Sequence, residues 1–479
     1  MKGAWPAAAI RIAEAAVIAE IGEEAIMRRA AYGLSIHCGR ILHRVYGAPV
    51  VLLIGAGSNG GDALYAGVEL LRRGAAVRAV LLSPERAHTG GLLAFVSAGG
   101  VVAGPSADPA GTDLVVDGIT GIGGRGELRP DAAALVAGLD PARVVAVDLP
   151  SGVDADTGHV AGAAVRAGHT VTFGALKPGL LVGAGQVHSG AVSLVDIGLG
   201  PHLPEPFARV LEPADVAALL PVPRPADDKY GQGVVGVVAG SPAYPGAAVL
   251  TVGAALRGKP GMVRYAGPVA DAVGARWPEA VVSTGRPGQA GRVQLWVIGP
   301  GLGTDEAAGE VLREVLATDL PVLIDADGLA PLADHPSLVR DRDAPTVLTP
   351  HDREFERLFG PVGEDRLGSA ERAAAQIGAT VLLKGQATIV ADPSGRAYVN
   401  TTGSGWLATA GTGDALSGLA GALLAAGGDT ATVAAAAAYL HGVAGSIAGG
   451  SIERGAPVTA MDVVQAIPAA IRRVRAAPI

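Results

Sequence analysis

Residues 48–67 read APVVLLIGAGSNGGDALYAG. The run from Pro49 to Ile54 is apolar without alternation, the pattern of a strand buried on both faces, as in a parallel sheet. Gly55, Gly57, Gly60 and Gly61 form a tight turn, and DALYAGVELLRRG then continues as a helix. Strand, glycine turn and helix make the opening of a βα unit. The turn brings backbone N–H groups to a helix N-terminus, where an anion can approach. Glycines alone fit a βα turn without a ligand equally well. This is also not the dinucleotide fingerprint, because Gly55, Gly57 and Gly60 are followed by Gly61-Asp62. Asn59 and Asp62 add oxygen ligands and a ribose-type acceptor that a plain turn does not need.

Outward from this unit the pattern repeats. Apolar runs recur at AAVRAVLLSP (75–84), TDLVVDGITG (112–121), ARVVAVDLPSG (142–152), HTVTFGA (169–175) and AVSLVDIG (191–198), with helical patterns such as GGLLAFVSAGG between them. The first half is therefore expected to be a doubly wound sheet with a ligand crevice at the carboxyl ends of its strands. EPADVAALLPVPRPADDKYGQG (212–233) then supplies four prolines and paired acids, an interdomain boundary. The alternation restarts with GVVGVVAGS (233–241), VQLWVIGPGLG (293–303), PVLIDADGL (321–329), APTVLTPHD (344–352) and ATVLLKGQATIVAD (379–392). No sequence repeat links the halves; they share only their class.

Composition bounds the function. A chain of 479 residues exceeds one ordinary core and implies two or three domains. Hydrophobic residues make up 49% but aromatics only 4%, a small-residue α/β composition. Apolar stretches such as ATVAAAAAYLHGVAG are Ala/Gly-rich and expected to be shorter than a bilayer span. The start, MKGAWPAAAIRIAEAAVIAE, carries Arg11 and Glu14 within its apolar pattern and reads as an amphipathic first helix rather than a leader. The single cysteine, Cys38, excludes an intrachain disulfide, and a cytoplasmic location is expected. The net charge of −8 argues against a nucleic-acid partner. Small-molecule ligands, no membrane and a homo-oligomer are expected.

Three strand ends of the first half carry oxygen ligands: Asn59, Asp117, and the turn from Asp148 to Ser151. A carboxylate closing a buried strand is either a turn or capping residue or a crevice ligand. In a parallel sheet these ends converge, and amide, carboxylate and hydroxyl oxygens suit a hard cation. The quoted motifs, GAGSNGGD, VVDGITGIG, AVDLPSG followed by VDADTG, and TFGALKPG, resemble the NAD(P)H-hydrate epimerase family, often called the YjeF N-terminal domain, over residues 1–212. The resemblance implies a Rossmann-like three-layer fold and a potassium ion on Asn59, Asp117 and Ser151. It also implies a hydrated nicotinamide nucleotide on Ser58, Asn59, Gly60, Gly61 and Asp62 and on Gly121, Ile122, Gly123, Gly124, Arg125, Gly126 and Glu127, together with Asp148. The family usually has Asn at Ser58 and Gly at Ala63. Asp148 is the expected acid/base. Lys177, before Pro-Gly, reads more readily as a solvated turn charge than as a second candidate.

In the second half, LATAGTGDALSG (407–418) places Gly411, Thr412 and Gly413 at a helix start, where free N–H groups and the dipole form an anion hole, with Asp414 just behind. KGQAT, with Lys384, follows a strand and suits nucleotide phosphates. Gly301 to Gly303, Asp325, Asp327 and His351 fall at strand ends on the same expected edge. His351 reads either as a satisfied turn residue or as a ligand. Taken together, KYGQG, GSPAYPGAA, GPGLG, DADGL, TPHDREF, KGQAT and AGTGDALSG resemble the ribokinase-like ADP/ATP-dependent NAD(P)H-hydrate dehydratases, or YjeF C-terminal family, over 225–479. By that resemblance Lys384, Gly385, Gln386, Ala387, Thr388 and Gly413 bind ADP or ATP with Mg²⁺, and Gly246, Ala247, Gly303, His351 and Asp414 face the hydrate. Family members commonly have Pro-Gly at Asp352-Arg353, Asn at Ala330 and Met at Trp406.

The resemblances thus imply three segments: 1–212 as the epimerase, 213–232 as linker and entry, and 225–479 as the dehydratase. The expected activity interconverts the R and S hydrates of NADH and NADPH and dehydrates the S form at the expense of ADP. A ribokinase-like small-molecule kinase with a non-catalytic first domain is the alternative.

Overall fold

The computed structural model describes residues 1–104, 109, 111–220, 222, 228, 230–258, 260–450 and 455–477. It divides into two units, Gly3–Ala208 and Met1–Lys2 with Arg209–Ile479.

In the first unit seven parallel strands lie in the order Val101–Ala103, Ala76–Leu81, Pro49–Ile54, Leu114–Gly118, Val144–Val147, His169–Phe173 and Ala191–Val195. Each run quoted from the sequence supplies one of them; Val101–Ala103 is an additional edge strand. The chain starts at Pro49–Ile54, moves out to one edge, and crosses back to resume at Leu114–Gly118 on the other side. That reversal opens a crevice at the strands' carboxyl ends. Side chains alternate across the sheet: Val50, Leu52 and Ile54 enter one core with Leu64 and Phe95, whereas Val51 and Leu53 enter a second with Val80, Ile119 and Val165. Both faces are dry, which explains the continuous apolar runs. The expected first helix forms as Ala7–Ile21.

In the second unit the strands over 234–400 run in the order Ala397–Asn400, Thr388–Ala391, Thr380–Leu383, Thr346–Leu348, Val322–Ile324, Leu295–Ile298, Val234–Val238, Met262–Ala266 and Val281–Ser283. Thr388–Ala391 is antiparallel to both neighbours and the rest are parallel. The stretch ATVLLKGQATIVAD, read as one run, is two strands, because the polar, glycine-containing Lys384–Ala387 segment turns the chain back as a hairpin.

Two other expectations change. ATVAAAAAYLHGVAG belongs to a 20-residue helix, Thr430–Gly449, long enough to cross a bilayer, but 67% of its apolar window is buried inside the protein. The segment read as linker and entry to the second domain opens with the helix Pro213–Leu219. Leu211, Val216 and Leu220 join the core of the second unit, so its first turns are entry rather than linker. Residues 221, 223–227 and 229 of that segment lie outside the described residues.

The helix Thr412–Ala425 packs on Pro245–Arg257 through glycine. A Cβ at Gly418 would lie 2.1 Å from the Thr251 carbonyl oxygen. Alanine normally improves a helix interior by about 0.5–1 kcal/mol over glycine, but overpacking costs about 1–3 kcal/mol. Gly418→Ala should therefore lower the Tm. Gly309→Ala, in the helix Glu306–Leu316 with only the Arg313 side chain 3.5 Å away, should raise it. Thermal unfolding of the two variants checks this; equal stabilisation by both would show that the two helices are free to separate.

Candidate active sites

In the first unit the glycine turn is required by a close approach. A side chain at Gly55 would begin 1.9 Å from the Ile119 carbonyl oxygen, so only glycine lets the ends of Pro49–Ile54 and Leu114–Gly118 meet. Gly57, at φ +87, then caps the helix Ser58–Arg72. Beneath the turn lies Asp117, which is fully buried. Its Oδ1 accepts from Ser151 Oγ at 2.7 Å and Ile119 N at 3.2 Å, and its Oδ2 accepts from Ser151 N at 2.9 Å. Ser151 Oγ accepts in turn from Thr120 N at 2.9 Å. Burial pushes the Asp117 carboxyl up to about 6, against the pull of these hydrogen bonds.

The next strand end is strained. Asp148 follows Val144–Val147 at φ +64, left-handed backbone that a non-glycine residue adopts at a cost of order 1–3 kcal/mol. Its Oδ1 accepts from Thr172 Oγ1 and from Phe173 N, each at 3.1 Å. It also pairs with the Lys177 ammonium, which donates further to Thr172 Oγ1 at 2.8 Å and to the Phe173 carbonyl at 3.1 Å. Lys177 is 1% exposed. The reading of Lys177 as a solvated turn charge is therefore corrected: TFGALKPG carries the lysine under the sheet edge, and the pattern of Lys before Pro-Gly gave no sign of it.

A cavity of about 650 Å³ opens above these strand ends. Ser58, Asn59, Asp62, the segment Gly121 to Glu127 and Asp148 all line it. Gly60 and Gly61 do not. A Cβ at Gly60 would meet the Gly55 carbonyl at 2.8 Å and one at Gly61 would meet His88 at 2.9 Å, so both serve packing under the helix start. Burial first, then Asp148 and Glu14, hold the Asp62 carboxyl well above the usual range, with Lys177 opposing. Asn59 Nδ2 is buried without a partner among the described residues. The sequence reading left out Arg11 and Glu14 as site residues, yet both line the cavity.

In the second unit the parallel strand ends again bring the chemistry together. Asp325, 1% exposed, follows Val322–Ile324. It accepts from Lys384 Nζ at 2.6 Å and from Ser417 Oγ at 2.7 Å, tying the hairpin to the helix Thr412–Ala425. Lys384 also lies 3.8 Å from Glu354. Its amine is thus held between carboxylates in the corner where the sequence places nucleotide phosphates. Arg366 clamps the hairpin turn, donating to Asp352 Oδ1 and to the Lys384 carbonyl at 2.6 Å each; nothing in its helical context marked it.

The helix start reads as expected. Gly411, at φ +88, precedes Thr412, and no side chain caps the first turn. A Cβ at Gly413 would find Lys384 Nζ at 3.5 Å and Asp325 Oδ2 at 4.0 Å, so glycine, lysine and aspartate share one corner. Burial, then the Asp325 charge, push the Asp414 carboxyl up to about 7; Asp327 and Glu354 add to the rise and Lys384 opposes it. Gly303 N donates to Asp327 Oδ2 at 2.9 Å. Gly301, at φ +60, packs on Ala247 and Tyr244, which sets the Gly303 loop beside the helix start carrying Gly246 and Ala247. His351 is the satisfied turn residue of its first reading: Nδ1 caps Asp352–Phe359 by accepting from Arg353 N and Glu354 N, and Nε2 lies 3.4 Å from Glu354 Oε1 on a half-exposed ring. Gln386 is exposed, Ala387 is buried and Thr388 begins the returning strand, so this turn can offer a ligand its backbone groups and the Gln386 side chain.

Two family models match the chain: NAD(P)H-hydrate dehydratase over residues 235–468 and YjeF-related protein N-terminus over 23–179. The bifunctional NAD(P)H-hydrate repair enzyme of Mycobacterium tuberculosis H37Rv is 54% identical over 429 residues, covering 87% of this chain and 88% of that protein. The enzyme of the same name from Mycobacterium leprae is 52% identical over 459 residues, covering 93% and 94%. Among solved structures, the ADP/ATP-dependent NAD(P)H-hydrate dehydratase from Bacillus subtilis co-crystallised with ATP/Mg²⁺ is 28% identical, with a TM-score of 0.50 over 56% of this chain and 99% of its own.

The Asp414 environment has a cost that can be measured. Its folded pKa is raised, so the folded state binds the proton more tightly than the unfolded state. Stability from this group is complete at low pH and is lost as pH rises through about 7. Asp414→Asn removes the charge, so it should raise the Tm most at pH 8, less at pH 5, and little at about pH 4, the ordinary carboxylate value. Each kcal/mol recovered corresponds to about 2–4 °C for a domain of this size. A Tm gain equal at all pH values would show that ionisation of Asp414 is not the cause.

Proposed function

The chain belongs to the bifunctional NAD(P)H-hydrate repair enzymes, and from that premise we propose how its two units divide the work. The first unit interconverts the R and S hydrates of NADH and NADPH. The second dehydrates the S form to NAD(P)H at the expense of ADP, giving AMP and phosphate, with ATP as the other donor. The observation that carries the reading is Asp414. Its carboxyl is poised near neutrality one residue behind a helix start whose free N–H groups make an anion site.

In the second unit the hydrate lies against Gly246, Ala247, Gly303 and His351. The adenine nucleotide lies on the Lys384–Thr388 turn, with its phosphates toward Gly413. Asp414 takes the proton of the C6 hydroxyl as that oxygen receives the phosphoryl group. The C6–O bond then breaks with its electron pair leaving on phosphate, and the N1 lone pair forms C6=N1. Loss of the C5 proton to the departing phosphate returns that pair to N1 and leaves the C5=C6 bond of NAD(P)H. The helix start stabilises the transferring group. Among the described residues no three His, Cys, Asp or Glu side chains form a ready metal cage. That suits a Mg²⁺ ion that arrives with nucleotide phosphates and keeps its waters. Lys384 is positioned by Asp325 rather than free, and it orders the corner in which the phosphates sit.

In the first unit Asp148 is the acid/base, with its orientation set by Lys177 and Thr172. Asn59, Asp117 and Ser151 would hold potassium. The donor set fits: Asp117 is a buried carboxylate satisfied by hydrogen bonds alone, and a monovalent ion would compensate its charge. Ser58, Asp62 and the segment Gly121 to Glu127 hold the nucleotide.

One assay tests the whole reading: a mixed R and S hydrate pool with Mg²⁺ and ADP or ATP, followed by recovery of NADH absorbance. The wild-type chain should consume both epimers. Asp148→Asn should rapidly consume only the S share, and Asp414→Ala should equilibrate the epimers without forming NADH. A positioned acid/base contributes about 10²–10⁴-fold. Replacing potassium by a bulky organic cation should slow interconversion alone. No NADH recovery with either donor overturns the function; equal interconversion in both salts removes the metal assignment.

A further inference from the structure

The helix Ala7–Ile21 lies before the matched segment 23–179, yet it contributes two charged side chains to the cavity of the first unit. Arg11 and Glu14 are three residues apart and so share a helix face. Arg11 Nη2 donates to the Ile122 carbonyl at 2.7 Å, which ties that face to the cavity segment. Glu14 forms no hydrogen bond or ion pair among the described residues, although it is half-buried. Asp148 and Asp62 line the same cavity from a strand end and from the helix Ser58–Arg72. Asn59, also lining it, keeps a buried Nδ2 with no acceptor. The cavity thus presents two carboxyls without partners among the described residues, Glu14 and Asp62, to whatever fills it.

We propose that Glu14 is the second proton-transfer group of the epimerisation, acting together with Asp148 on the C6 carbon of the hydrate. The proposal rests on the epimerase reading of this unit. Exchange through loss and return of water requires one proton given and one taken. Glu14 gives its proton to the C6 hydroxyl oxygen. The C6–O bond breaks with its electron pair leaving on water, and the N1 lone pair forms the C6=N1 bond. Water then adds to the other face of C6, the π pair returns to N1, and the surplus proton goes to Asp148. One turnover leaves Glu14 ionised and Asp148 protonated, the state from which the opposite conversion starts.

The surroundings support this assignment. Burial and then the Asp148 charge raise the proton affinity of Glu14, while Lys177 and Arg11 lower it; Asp62 is the remaining carboxyl of the group. Asp148 is matched by a buried lysine. The two carboxyls therefore meet different environments, the arrangement that separates an acid from a base.

The test uses the full chain without nucleotide, so that dehydration is silent and only the ratio of R to S hydrate changes. Glu14→Gln keeps size but carries no acidic proton. It should slow exchange by about 10²–10⁴-fold and lose the pH limb that reports the acid, while dehydration of S hydrate with ADP stays at the wild-type rate. Glu14→Asp restores the acid on a shorter arm and should recover part of the exchange. Wild-type exchange in Glu14→Gln overturns the proposal, as does Glu14→Asp no faster than Glu14→Gln, which would indicate a packing role. A wild-type chain that never exchanges the epimers would instead overturn the epimerase reading itself.

Discussion

Each of the two sites is organised by one ammonium group that the fold withdraws from water. Taking an ion out of water costs several kcal/mol unless it is paired and hydrogen-bonded. Lys177 meets that demand with Asp148, Thr172 Oγ1 and the Phe173 carbonyl, and Lys384 meets it with Asp325, backed by Glu354. The partner in both cases is the aspartate that ends a parallel strand. The pairing fixes where that strand end and the following turn must lie. In the first unit it also holds Asp148 in left-handed backbone, a conformation that persists only where its surroundings over-determine it. Removing either lysine would leave a carboxylate at a dry sheet edge, so the ion pair and the geometry of the site stand or fall together.

The carboxylates reach their positions because backbone touches backbone. Gly55 and Gly299 each follow a strand, and each would place a Cβ 1.9 Å from the carbonyl oxygen of a residue at a neighbouring strand end, Ile119 and Asp325 respectively. No side chain fits there, and the two strand ends close to a distance at which groups from different strands share one site. The same device joins helices: Gly418 lies on the Thr251 carbonyl, bringing the helix that carries Asp414 against the one that begins at Pro245. A chain rich in glycine and poor in aromatics suits this architecture, in which approach distance does work that large side chains do elsewhere.

That difference explains what the sequence could disclose. The strands were legible because burial on both faces requires unbroken apolar runs, and Pro49–Ile54 or Leu114–Gly118 admit no other reading. Asp117, Asp148, Asp325 and Asp414 were legible because a carboxylate after such a run or behind a glycine helix start has few ordinary roles. What stayed hidden was decided by distant partners. Lys177 before Pro-Gly looks like a surface turn until Asp148, 29 residues away, is placed against it. The pairing of Lys384 with Asp325, 59 residues away, likewise left no local mark. Glu14 sits in an amphipathic helix where any charge passes for a solvated one, and only the cavity distinguishes it. The hairpin at 384–387 was missed for a local reason, since its strands are apolar enough to read as one.

The two reactions share a bond and differ in its fate. Both break C6–O of the hydrate. In the first unit, with the roles proposed above, the cleaved oxygen returns as water from either face, so the cycle is reversible and two carboxyls that trade one proton would serve it. In the second the oxygen leaves as phosphate, and the adenine nucleotide makes the step one-way. In the role proposed for it, Asp414 must take a proton near neutral pH, and burial first, then the charges of Asp325, Asp327 and Glu354 against the pull of Lys384, set it there. A single site could not serve both ends, because water that returns to C6 undoes dehydration, and a phosphorylated oxygen cannot return as water. Separate sites on one chain remove the conflict and hold them at equal number. Every S hydrate consumed pulls R hydrate through the reversible step, and the pool empties at the rate of the slower site.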